Sequence, residues 1–126
     1  MNYKTLSIIK ALVCLAFGPA LLLFPGFVMG LFGLEISPAA NIFARAYGAS
    51  MLGNMLLTYL SRNAEPSKLR KAISWDLFIY DLAGLIAIGI LQIQGLMNFL
   101  GWGIVIIYLF FSAGYGFFLL PQKSAA

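Results

Sequence analysis

Asp76 and Asp81 lie inside a long apolar run, Ala72 to Gln94, directly after the densest basic cluster, Arg62, Lys68, Arg70 and Lys71. A carboxylate in such a run suits proton relay, ion pairing or hydrogen bonding between helices, because a lone charge in hydrocarbon costs at least ~2.5 kcal/mol. The two acids diverge by ~140° on a helix that turns 100° per residue, so they are not a side-by-side catalytic dyad. Other chemistry-bearing positions sit in the neighbouring apolar runs: Lys10 in the first, Arg45 and Asn54 in the second, Tyr80 beside Asp81, and Tyr108 in the fourth. Counting helical rise from each helix end puts Asp76, Asn54 and Lys10 in one polar layer, roughly 6 to 11 Å from one membrane face. Arg45 and Asp81 fall in a second layer nearer the centre, within about one turn of each other given some tilt.

Two readings of these layers stay open. In one they are clasps that hold helices together through hydrogen bonds. In the other, Asp81 with Arg45 as modulator forms a proton or solute pathway, since charges buried in membranes often mark such routes. Arg45 has three candidate partners: Asp81, Glu35, or lipid headgroups reached by snorkelling. Lys10 is a little under two turns into its run, and headgroup snorkelling is the expectation for it. Cys14 is a lone cysteine with no activating base nearby and reads as a small core residue; with no histidine in the chain, neither a metal centre nor a haem is expected, and no cofactor is. No nucleophile paired with a base is evident, so no enzymatic activity is expected.

The elements that must carry these residues follow from composition. Of 126 residues, 62% are hydrophobic and 10% charged, and the charges cluster at the ends of four apolar runs. A soluble helix would show a charged face every few residues, so lipid is the expected solvent. The expected fold is all-α: a polytopic membrane protein forming an antiparallel four-helix transmembrane bundle in one domain, residues 1–126, with spans at about 5–24, 38–61, 72–94 and 98–120. The net charge of +4 lies at span ends, where orientation and anionic lipid explain it, so nucleic acid is not an expected partner.

Met1 to Phe24 has the basic start of a signal peptide but a poor cleavage pattern, and a retained first span is expected. Gly18-Pro19 should bend its outer part. Pro25 to Ser37 is too short to span and too apolar for water, and reads as a short interfacial segment or flap with Glu35 as its only charge. Ser37-Pro38 gives the second span its cap. Tyr47, Ser50, Asn54, Thr58 and Ser61 then make a polar stripe, with Ala46, Ala49 and Gly53 as an adjacent small-residue face for close helix approach. Gly114 and Gly116 suggest close packing of the last helix. Gly95 should end the third span and Asn98 cap the fourth. Lys4, the Arg62 to Lys71 connection and Lys123 in the tail Gln122 to Ala126 all point to the cytoplasm, which places both termini inside, in a bacterial inner membrane.

Phe24-Pro25, Leu31-Phe32-Gly33 and Ala44-Arg45-Ala46-Tyr47-Gly48-Ala49 resemble the layout of uncharacterised small bacterial four-helix integral membrane proteins of domain-of-unknown-function type. That resemblance implies architecture and no activity. In size the chain is also similar to small multidrug-resistance transporters, but it departs from them in carrying Lys10 and no acid in its first span. The function expected is that of a non-catalytic membrane protein, either an accessory or interaction subunit or a binder of a lipid-like ligand. The alternative is a proton-linked small-solute transporter or channel using Asp81 and Arg45. Expected partners are membrane lipids, and a homo-oligomer or larger membrane complex.

Overall fold

The computed structural model describes residues 1–121, so the tail Gln122 to Ala126 and its Lys123 lie outside the described residues. Every described element is helical: α1 (Tyr3–Leu23), α2 (Pro25–Leu31), α3 (Pro38–Leu60), α4 (Lys68–Ile93) and α5 (Gly101–Leu119). The starts are set by side-chain caps. Asn2 accepts from the Thr5 amide at 2.8 Å, Ser37 from Ala40 at 3.1 Å with Pro38 in the first turn, and Ser67 from Arg70 at 3.1 Å. α4 ends where Gly95 takes φ 76°, which lets the Gly95 and Leu96 amides return to the Gln92 and Leu91 carbonyls. The fourth long helix starts at Gly101 rather than 98. Asn98 spends its side-chain oxygen on the Leu100 amide in a turn ahead of the helix, at 3.0 Å.

Three helices are long and apolar enough to cross a membrane: α1, α4 and α5. At 23 residues α3 is as long, but Arg45 and its polar residues leave it less apolar than the other three. The molecule's exterior is apolar along much of its length, with Leu12, Ile42, Ile79, Ile90, Ile106 and Phe117 all more than half exposed.

The long helices pair as two antiparallel hairpins. α1 packs along α3, and α4 along α5, while between the pairs only α1 and α5 approach closely among the described residues. The first hairpin is tight because Gly48 faces Gly18: a Cβ at Gly48 would stand 2.6 Å from the Gly18 carbonyl oxygen and 2.7 Å from the Leu22 amide. This is not the face expected from the sequence. Ala46, Ala49 and Gly53 are exposed, and nothing lies within 4 Å of a Cβ at Gly53. Small residues tolerate an interface without requiring one, and the buried register of α3 runs instead through Ala44, Gly48 and Met51. α1 continues through Pro19 to Leu23.

The hairpins meet at the end of the bundle that carries the N-terminus and the basic cluster, called here the basic end. Tyr3, Leu6, Leu77, Phe111 and Tyr115 form a core there, and Leu6 sits on Gly114, where a Cβ would be 2.9 Å from its methyls. At the opposite, flap end, α2 folds over the first hairpin and buries Val28 against Leu21, Ala44 and Met51. Asn98 ties this flap to the second hairpin: its backbone amide donates to the Phe32 carbonyl at 3.0 Å and its side chain to the Leu31 carbonyl at 2.9 Å.

Candidate functional site

Hairpins that touch at one end and are tied by a loop at the other leave space between. A cavity of about 410 Å³ occupies it. Its flap-end wall is Val28, Met29, Phe32 and Leu34, its sides are mostly aliphatic and aromatic, and its polar groups gather toward the basic end: Lys10, Asp81, Tyr47, Tyr80 and Tyr108. Phe43 lines the cavity yet is 75% exposed, which puts it at the rim. It stands on α3, whose backbone makes no close approach to α4 or α5 among the described residues, so the cavity opens sideways between the hairpins.

Asp81 is fully buried, and its partner is Lys10. The ammonium donates to Oδ1 of the carboxylate and lies 4.9 Å from the Tyr80 ring centre and 4.7 Å from that of Phe111. The charge is thereby shared between one carboxylate and two aromatic faces. The other carboxylate oxygen, Oδ2, is sealed and has no hydrogen-bond partner among the described residues.

This corrects two expectations. Lys10 does not snorkel to the headgroups: it is 3% exposed and forms a buried ion pair. Asp81 is not paired with Arg45. The arginine turns away, donating from Nε to Asn41 at 2.7 Å and from a terminal nitrogen to the Leu22 carbonyl at 2.8 Å, where it ties α3 to the end of α1. The physical reason is length. By helix rise Lys10 and Asp81 differ in depth by only ~6 Å when the spans are counted from residues 5 and 72, and the lysine stem covers that difference.

The phenols form the second part of the site. Tyr80 donates to the Tyr47 hydroxyl at 2.9 Å, and Tyr47 shares a further hydrogen bond with Tyr108. Tyr47 of α3 thus bridges to Tyr80 of α4 and Tyr108 of α5, two helices whose backbones make no close approach to that of α3 among the described residues. Tyr108 reaches the cluster because Gly84 offers no side chain: a Cβ there would lie 2.3 Å from the tyrosine ring.

Of the sequence candidates, Lys10, Asp81, Tyr80 and Tyr108 come together around the cavity. Asp76 is exposed on the outer surface of α4, and Asn54 is half-buried outside the cavity wall, so the expected layer of Asp76, Asn54 and Lys10 is not formed. Much of the α3 polar stripe satisfies itself. Thr58 donates to the Asn54 carbonyl at 2.9 Å and Ser61 to Leu57 at 2.6 Å, each one turn back along the helix. Tyr47 was visible in that stripe but not distinguished from its neighbours, and its signal is a depth within one turn of Tyr108 by helix rise. Phe111, which completes the box around Lys10, carried no signal within an apolar helix. Among the described residues no group of histidines, cysteines and carboxylates is arranged to hold a metal ion. Compared with known proteins, the chain matches no family model, no curated protein and no solved structure.

Proposed function

We propose that this protein is a non-catalytic integral membrane protein of four crossings that binds a lipid-like molecule between its two hairpins. The observation that carries the reading is the cavity: about 410 Å³, open sideways, apolar along its walls and polar toward one end, in a molecule whose exterior is itself apolar. An amphipathic ligand matches such a gradient, with its tail toward the flap-end wall and its head toward Lys10, Asp81 and the tyrosines. The rim at Phe43 gives access from the surrounding acyl chains without passage through water.

In this reading α3 crosses the membrane although it is the least apolar of the long helices, because its antiparallel packing along α1 commits it to the same path. The basic end, with Lys4, Arg62, Lys68, Arg70 and Lys71, faces the cytoplasm of a bacterial inner membrane, and the flap faces outward. The likeness to uncharacterised small four-helix membrane proteins agrees with this architecture. The transport alternative named Asp81 and Arg45 together, and the arginine's bonds to Asn41 and Leu22 take it out of that partnership.

Native mass spectrometry of the protein released from mild detergent tests the proposal. A bound small molecule of defined mass is expected with the wild type and lost with Ile104→Trp, which fills the cavity from α5 without touching the α1–α3 contact. A wild-type protein that carries no lipid under conditions that keep it folded would overturn the reading.

A further inference from the structure

The hydrogen-bond balance at the polar end says what kind of head the ligand has. Three phenol hydroxyls supply three hydrogens, and two of these are used in the bonds among Tyr80, Tyr47 and Tyr108. Among the described residues no other hydrogen bond engages these hydroxyls, so one O–H is left over whichever way the Tyr47–Tyr108 bond points. The cluster therefore has one hydrogen to give, and a donor without a partner calls for an acceptor. All three tyrosines line the cavity and keep some exposed surface.

The charged pair narrows the choice. Lys10 is the only cation among the described lining residues, and Asp81 neutralises it, so a phosphate or carboxylate head would find no free positive charge. The spare carboxylate oxygen of Asp81 is sealed, so a donating head has no open acceptor there. The head that meets the spare hydrogen and needs no free charge is a neutral acceptor. The rest of the wall includes four phenylalanines and three methionines, surfaces that pack well against rings and unsaturated chains.

From this we infer that the ligand is a neutral lipid whose carbonyl oxygen accepts the spare tyrosine hydrogen. The inference rests on the reading of the cavity as a lipid site. Two sources supply the chemistry, a ring quinone with an isoprenoid tail and an esterified lipid, and ligands of equal tail length separate them.

The test is calorimetric titration of the full chain in mild detergent with a decyl-substituted benzoquinone, methyl decanoate, decanoate and decylbenzene. One of the two carbonyl compounds should bind roughly tenfold more tightly than decylbenzene, the worth of one net hydrogen bond. Which of them does so identifies the source. The advantage should vanish in Tyr47→Phe/Tyr80→Phe/Tyr108→Phe, which keeps every ring and removes every hydroxyl. The carbonyl stretch of the bound ligand should also move to lower wavenumber with the wild type. Because the ligand comparison on the wild type decides the matter alone, it holds even if the triple variant folds poorly. Tightest binding of decanoate, or equal binding of decylbenzene with loss in Ile104→Trp, would overturn the inference and leave the lipid site standing. Binding of none of the four would overturn both.

Discussion

Lys10 and Asp81 carry opposite charges where neither is stable alone, and each is buried because the other is there. Removing one partner leaves an uncompensated charge, a loss of about 3–5 kcal/mol for buried pairs, whereas replacing both with apolar side chains is often close to neutral. Lys10→Met and Asp81→Leu should each lower the thermal unfolding temperature in mild detergent sharply, and the double variant should recover most of the loss. Additive losses in the double variant would show that the two residues are not coupled. The need for a partner was legible at Asp81 from its place in an apolar run, but its identity was not. Lys10 was within reach by helix rise and Arg45 with added tilt, and rise says nothing about which way a side chain turns. Arg45 had closer acceptors in Asn41 and the Leu22 carbonyl, the latter left free near the end of α1.

Among the elements, the α1–α3 hairpin depends on one point of backbone contact. Gly48→Ala would force a methyl against the Gly18 oxygen and the Leu22 amide, neither of which can rotate away as a side chain could. Overpacking of this kind costs typically 1–3 kcal/mol. Gly53→Ala, one and a half turns further along the same helix, meets nothing within 4 Å and should hold or raise stability by up to about 1 kcal/mol through helix propensity. Side-by-side unfolding of the two variants in the same detergent checks this, and a greater loss at Gly53 would mean that the exposed face of α3 is the packed one. The start of α3 was readable because Ser37 caps through a bond local to its own turn. The α3 interface was not. Both Gly48 and Gly53 sit among small residues, and only the position of α1 distinguishes them.

For the whole molecule, the two hairpins separate enough to enclose a cavity because they share a core only at the basic end and a loop contact, Asn98 with Leu31 and Phe32, at the flap end. If the chain crosses four times, these ends lie on opposite sides of the membrane. In a Cys14→Ser background, Glu35→Cys should react with an impermeant maleimide added to intact cells, and Glu65→Cys only after lysis. The reverse pattern would invert the orientation, and labelling of both from outside would rule out a crossing by α3, the one helix between them. Composition and the runs of apolar residues were sufficient for an all-helical protein with helices long and apolar enough to cross a membrane, since length and hydropathy are properties of each segment by itself. Charge at the segment ends pointed to an orientation for the same reason. The cavity, the Lys10–Asp81 pair and the tyrosine cluster were settled only by the tertiary structure. They join helices that are distant in sequence, and their existence depends on which faces meet and how far the hairpins part.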